Sequence, residues 1–137
     1  MGVAQRASDD CGVACLATLT GRVWLVAAEY LFPALTHPKS WATSETRMRR
    51  GMSKLGWKLS RKRGVPIIEG ERGLIESRTA LEFGWTGHWL AWERNPDGRV
   101  WVWNPQCGGE LFEYKPGALH NRGLRLTWWA NMTRKER

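Results

Sequence analysis

The chain has 137 residues, of which 21 are Lys or Arg and 13 are Asp or Glu, so its formal net charge is +8. This length predicts one domain, residues 1–137, and we expect no fused transporter or ATPase. No apolar run approaches the roughly 20 residues of a membrane span. The N-terminus also lacks the layout of a signal peptide, so we predict a cytoplasmic protein that begins at or near Met1, with no membrane partner.

The three cysteines and the positive charge indicate which reactive groups and partners to expect. An odd number of cysteines without a secretory signal predicts a reduced protein with at least one functional thiol. Cys11 and Cys15 lack a second ligand pair at zinc-finger spacing, so we expect no zinc site and no cofactor. The net charge predicts attraction to an acidic protein face, a nucleic acid or another anionic surface.

A buried helix of small residues is predicted to start beside Cys11. Asp9 and Asp10 are good N-cap or first-turn residues, and apolar residues follow at helical spacing. In the first turn, unpaired backbone N–H groups and the positive end of the helix dipole favour a thiolate, the reactive form of cysteine. Gly12 is expected to leave room for a substrate, whereas Cys15, one turn deeper, is expected to be a small buried hydrophobic residue.

Two further helices are predicted, over residues 23–35 and 40–55. Thr43 or Ser44 can cap the second of these, and Gly56 is a plausible residue for its C-terminal end.

The segment 47–63 carries the strongest charge feature, with eight basic residues and no acidic one. One interpretation is a docking face for an acidic protein or a phosphate backbone. The other is a solvated helix face followed by a basic loop, since no recognised nucleic-acid module accompanies the charge. The candidate partner-binding residues are Arg47, Arg50, Lys54, Lys58, Arg61, Lys62 and Arg63.

Strands are predicted after residue 56. Short β-like runs cover residues 57–59, 65–68 and 74–75, two clear strands cover 88–93 and 99–104, and another covers 124–129 before a charged tail expected to fray. Helices followed by an antiparallel sheet predict an α+β fold. Most of the ten tryptophans are expected to lie in the core or in a cleft wall.

The turn at residues 95–98, Asn-Pro-Asp-Gly, predicts the register of the two clear strands. It suits a type I turn followed by a left-handed glycine, which is a three-residue hairpin loop with a bulge. Asn95 then faces Arg99, and even-numbered residues of both strands share a face. His88 and Asn104 are therefore expected on one side, close enough for a side-chain hydrogen bond. A two-residue loop would place them on opposite faces.

These residues can be assigned to the roles of thiol catalysis. A cysteine nucleophile needs a base, a residue that orients the base, and donors for the oxyanion. We predict Cys11 as nucleophile, His88 as base and Asn104 as the orienting residue, with Gln5 and the Cys11 backbone N–H as oxyanion donors.

Each residue also has an ordinary structural interpretation. Cys11 can be a packing residue, His88 a histidine at a strand end and Asn104 a turn former. His37 and His120 are rival bases, but the sequence identifies no partner for either.

The whole pattern resembles a known family. A glutamine, four residues, then Asp-Cys-Gly-x-Ala-Cys-Leu-Ala, a later His-Trp that opens a strand and a following Asn-Pro are similar to the bacteriocin-processing, double-glycine-leader cysteine peptidases of the papain-like superfamily. The resemblance implies a papain-like fold, in which the nucleophile helix packs across a sheet that carries the base. Asn104 departs from it, because an aspartate usually precedes the proline in that family.

The resemblance also implies cleavage after a Gly-Gly pair in a peptide leader. We do not extend this substrate to the chain, because that specificity usually works together with an attached transporter, and Gly108-Gly109 is expected to be a turn.

The sequence therefore predicts a small cytoplasmic papain-like cysteine peptidase or thiol amidase that acts on a peptide or protein. One alternative is a catalytically weak papain-like scaffold whose basic segment binds and inhibits an acidic protein. A nucleic-acid binder with exposed tryptophans stacked on bases is the other alternative.

Overall fold

The computed structural model describes residues 2–33, 38–62, 70–81 and 84–136. Three helices come first and a sheet of six antiparallel strands follows, in the spatial order β1-β6-β2-β3-β4-β5. The helices are α1 (Cys11–Thr20), α2 (Trp24–Leu31) and α3 (Glu45–Lys54); the strands are β1 (Trp57–Lys62), β2 (Arg72–Leu81), β3 (Gly84–Arg94), β4 (Val100–Asn104), β5 (Glu110–Glu113) and β6 (Leu124–Arg134). The predicted α+β class is confirmed.

Both later helices are shorter than predicted. The described part of α2 ends at Leu31, and residues 34–37 lie outside the described residues, as do 65–68 and Arg63. α3 begins at Glu45 rather than at residue 40, because Ser44 is its N-cap and accepts a hydrogen bond from the Arg47 backbone N–H at 3.1 Å.

Residues 40–44 form neither helix nor strand, and the Asp9 carboxylate holds the start of this segment. Oδ2 of Asp9 accepts hydrogen bonds from Ser40 Oγ and from the Trp41 backbone N–H, each at 2.9 Å. This long-range contact competes with helix formation, and nothing in the local sequence indicates it.

The register predicted from the turn is the register observed. β3 and β4 pair Ala91 with Trp103 and Arg94 with Val100, and the Asn95 N–H donates to the Arg99 carbonyl at 2.8 Å. Gly98 has a φ of 86°, as the left-handed position of this loop requires.

One expectation about the C-terminal part is wrong, and one strand there was not predicted. The tail does not fray after residue 129, because β6 continues to Arg134 and pairs there with Trp57 of β1. β5, whose four residues pair with β4, was not predicted.

Tryptophans fill both faces of the sheet. The helices cover one face, where Trp89 and Trp128 are buried with Leu16 and Met48. The other face buries a second cluster around Trp92, which is fully inaccessible. No described tryptophan side chain is exposed, so their predicted place in the core or in a cleft wall is confirmed for this part of the chain.

None of the described helices has the length and apolar composition to cross a membrane by itself. Only α1 and α2 taken together reach that composition, and their axes are bent by 113°.

Candidate active site

Cys11 is the first residue of α1, as predicted, and it lies against the edge of β3. Its Sγ accepts a hydrogen bond from the Trp89 backbone N–H at 3.3 Å. That N–H is left for the thiol because β4 pairs with β3 only from Ala91 to Arg94. The side chain is 8% exposed, so the thiol sits at the margin of the core.

Gly12 allows this close approach of helix and sheet. A Cβ atom at Gly12 would lie 2.6 Å from Thr43 Cβ and 3.2 Å from Trp89 Cδ1. The space that the sequence analysis assigned to a substrate is therefore occupied by Thr43 and Trp89. Glycine is required at position 12 because a larger residue would overlap Thr43.

Asp10 is the N-cap residue of α1, but its carboxylate does not cap the helix. It accepts hydrogen bonds from the Arg6 backbone N–H at 2.8 Å, the Ala7 backbone N–H at 3.2 Å and Trp24 Nε1 at 2.8 Å, and it is fully buried. Three donors compensate for the lost hydration of a buried carboxylate. Asp10 therefore fixes the loop that precedes the thiol.

The expected thiolate is not favoured in the free protein. Burial raises the pKa of the Cys11 thiol above its ordinary value, and the negative charge of Asp10 acts in the same direction. The backbone N–H groups of Trp89, Gly12 and Cys11 itself lower the pKa, as a helix start should, but burial outweighs them. The sequence identified the helix position but not the burial, which depends on the tertiary fold.

His88 and Asn104 are brought together as predicted. His88 Nε2 lies 2.8 Å from Asn104 Oδ1. The same oxygen accepts a hydrogen bond from the Gln106 backbone N–H at 3.1 Å. A backbone N–H can only donate, so this contact fixes which atom of the Asn104 amide is the oxygen. Nε2 must then carry a proton, and in the neutral ring Nδ1 keeps a free lone pair.

His88 is neutral over a wider pH range than an ordinary histidine. Burial lowers its pKa, and the hydrogen bond to Asn104 raises the pKa by less. His88 is 7% exposed. A buried neutral imidazole with a free Nδ1 is suited to accept a proton rather than to hold one.

Cys11 and His88 line one cleft of about 930 Å³. The segment before α3, with Thr43 and Ser44, forms one wall, and β2, β3 and β6 form the other. No hydrogen bond joins Cys11 Sγ to His88 among the described residues. Catalytic hydrogen bonds are often absent before a substrate binds, so the lack of one here is compatible with a nucleophile and its base.

Gln5 is not brought into this arrangement. Its side-chain Nε2 donates to the Ala7 carbonyl at 3.0 Å, and its Oε1 is buried without a partner. Gln5 is not among the described residues that line the cleft. Its backbone N–H donates to the Pro105 carbonyl at 2.9 Å, so the Gln5 segment is tied to the residue after Asn104.

Gln106 is a cleft residue that the sequence analysis missed. It begins a short 3-10 turn, Gln106–Gly108, directly after Asn104-Pro105. Its position after the Asn-Pro pair was the only available signal.

Some side chains of the basic segment, residues 47–63, make contacts within the protein. Arg47 stacks on Phe32 and donates to the Leu31 carbonyl, whereas Arg61 pairs with Glu45 at 3.0 Å and lies over the Trp128 ring. The candidates that remain exposed, without an ion pair to any described residue, are Arg50, Lys54, Lys58 and Lys62.

The rival residues are placed elsewhere. His120 is exposed in a 3-10 turn and does not line the cleft, and His37 lies outside the described residues. Cys15 is fully buried, as predicted.

No protein-family model matches this chain, and a comparison with curated proteins finds no match.

Proposed function

We propose that this chain is a papain-like cysteine peptidase or thiol amidase that uses Cys11, His88 and Asn104. The supporting observation is the tautomer of His88. Asn104 Oδ1 accepts the Nε2 proton, and this leaves Nδ1 as the basic nitrogen of His88, a residue that lines the same cleft as the thiol. A structural histidine at a strand end does not require this arrangement.

The reaction begins from a neutral thiol and a neutral imidazole. Burial disfavours both charged forms, so the proton moves from Sγ to Nδ1 as the sulfur attacks the carbonyl carbon. The imidazolium returns this proton to the leaving nitrogen, which breaks the carbon–nitrogen bond and leaves a thioester on Cys11. Water then hydrolyses the thioester, with His88 again acting as base.

The oxyanion is bound at the start of α1. The Cys11 backbone N–H is one of the first N–H groups of the helix, which have no partner within it. Gln5 becomes the second donor only if its amide leaves the Ala7 carbonyl. A substrate carbonyl that accepts a hydrogen bond from Gln5 Nε2 would compensate for the lost bond to Ala7.

Digestion of a pooled peptide library tests the proposal. Cleavage products are identified by mass spectrometry for the wild type, Cys11→Ala and Cys15→Ala. Cys15 is the matched control, because it lies one turn later in the same helix and is fully buried. We expect cleavage by the wild type and by Cys15→Ala, and none by Cys11→Ala. Equal cleavage by the wild type and Cys11→Ala, or no cleavage by the wild type, contradicts the proposal.

A second candidate function is binding through the basic segment. The observation in its favour is the exposure of Lys58 and Lys62 on β1 and of Arg50 and Lys54 on α3. A polyglutamate peptide and a single-stranded oligonucleotide are suitable probes. Binding that is lost in Lys58→Glu/Lys62→Glu and retained in Cys11→Ala supports this function, and a steep salt dependence with the oligonucleotide indicates nucleic acid.

A further inference from the structure

Glu76 has an unusual environment for a carboxylate on the cleft wall. It lies in the middle of β2, and its Oε2 is buried without a hydrogen-bond partner. It also forms no ion pair with any described residue. Burying a carboxylate oxygen without a donor is costly, so a donor or a cation at this oxygen would be stabilising.

Two tryptophans flank this carboxylate. Glu76 is paired directly with Trp89 of β3 on one side and with Trp128 of β6 on the other. Directly paired residues project to the same face of a sheet, and all three residues line the cleft. The two indole rings pack edge to face, with their centroids 5.5 Å apart. Aromatic faces beside a carboxylate attract cations.

A guanidinium already occupies part of this surface. Arg61 lies 4.8 Å from the centre of the Trp128 ring. Its charge is directed to Glu45, 3.0 Å away, so it does not neutralise Glu76. The chain itself therefore shows that a guanidinium fits against Trp128.

The local charge differs from that of the whole chain. Three carboxylates (Asp9, Glu45 and Glu76) and two guanidinium groups (Arg61 and Arg78) are the charged groups among the described lining residues. The cleft lining thus lacks the excess of positive charge that the whole chain carries, with its net charge of +8. A cationic group is better accommodated there than on the rest of the surface.

Glu76 is also close to the reacting groups. Its pairing partner Trp89 donates its backbone N–H to Cys11 Sγ, and the next residue, Ser77, is paired with His88. Gly87 precedes His88, and a Cβ atom there would lie 3.3 Å from Glu76 Oε1. The glycine therefore leaves space beside the carboxylate.

We propose that Glu76, between Trp89 and Trp128, binds a lysine or arginine side chain of the substrate next to the cleaved bond. The position relative to a cleaved bond rests on the proposed peptidase function, whereas the cation site does not.

An NMR titration tests the site without turnover. The protein is Cys11→Ala, and the probes are Nα-acetyl-arginine N-methylamide and its neutral citrulline analogue, which has the same shape. We expect the arginine probe to shift the indole N–H signals of Trp89 and Trp128, with a Kd at least about tenfold lower than that of citrulline. Glu76→Gln should remove the difference. Glu71→Gln, which removes an equal charge from an exposed position outside the cleft, should keep it.

The outcomes separate the two proposals. Equal Kd values for the two probes, or an arginine preference that persists in Glu76→Gln, overturn the cation site even if peptides are cleaved. An arginine preference that depends on Glu76, without cleavage of any library peptide, supports the cation site and contradicts the peptidase function. With both functions present, the products from the wild type are enriched in Lys or Arg beside the cleaved bond, and this enrichment is lost in Glu76→Gln.

Discussion

Asn104 Oδ1 lies 2.8 Å from His88 Nε2 across the open end of the β3–β4 hairpin. The hydrogen bond both selects the tautomer of the imidazole and raises its pKa against the larger effect of burial. The activity of this site should therefore respond to residue 104 in two separable ways, through the rate and through the pH profile.

Substitutions at Asn104 should move the acid limb of kcat/KM in opposite directions. Asn104→Ala removes the hydrogen bond that raises the pKa of His88, so the limb should move to lower pH while the rate falls by about tenfold or more. Asn104→Asp places a negative charge beside the ring and should move the limb to higher pH. The measurement is kcat/KM against pH on one library-derived peptide. Identical limbs in the three proteins would show that His88 is not the titrating base.

His88 should also make folding stability depend on pH. Because burial lowers its pKa in the folded state, the unfolded chain binds more protons between the folded pKa and the unfolded value of about 6.5. The free energy of unfolding is therefore highest above about pH 6.5 and decreases as the pH falls toward the folded pKa of His88. Urea unfolding at pH 7.5 and 5.5 measures this decrease in the free energy of unfolding. We expect the decrease to be smaller in His88→Gln than in the wild type. An equal decrease would indicate that His88 has an ordinary pKa when folded.

The β3–β4 hairpin was predicted from the sequence because its geometry depends on adjacent residues. The turn at residues 95–98 sets the register of its two strands, and this register brings His88 to Asn104. Hairpin geometry depends on a few adjacent residues, so it can be inferred without the rest of the fold.

The remaining features depend on contacts between distant segments. The pKa of Cys11 is raised by burial under the fold, and the segment before α3 is held at Ser40 and Trp41 by Asp9, more than thirty positions away. The end of β6 is ordered by β1, far earlier in the chain. No local pattern indicates any of these contacts.

Asp10→Asn should make the Cys11 thiol easier to ionise. The charge of Asp10 raises the pKa of Cys11, so its removal should shift the midpoint of iodoacetamide alkylation to lower pH. The wild-type midpoint should lie above that of an ordinary thiol. Asp9→Asn is the matched control, because that carboxylate binds Ser40 and Trp41 and is not among the groups that shift the Cys11 pKa.

The midpoint is more informative than the rate at one pH. Asp10→Asn also weakens hydrogen bonds to Arg6, Ala7 and Trp24, and greater exposure of Cys11 could raise the rate at every pH. An unchanged midpoint with a uniformly higher rate would show that the substitution acts through exposure and not through charge.

Gly12→Ala should destabilise the protein by about 1–3 kcal/mol, because the new methyl group overlaps Thr43. The Thr43 carbonyl accepts a hydrogen bond from Trp89 Nε1 at 2.8 Å, so moving Thr43 also strains the cleft wall. Urea unfolding measures the loss. Gly51→Ala is the control, because a Cβ atom there meets the end of the Leu31 side chain, which can rotate away.

A double variant separates steric overlap from the other effects of Gly12→Ala. Thr43→Gly removes the Cβ atom that a Gly12 side chain would meet, so it should cancel most of the loss when the two substitutions are combined. Coupling of this sign requires that Thr43 and Gly12 are in direct contact. Additive losses would instead place the strain elsewhere in α1, and the close approach of helix and strand at Cys11 would then need another explanation.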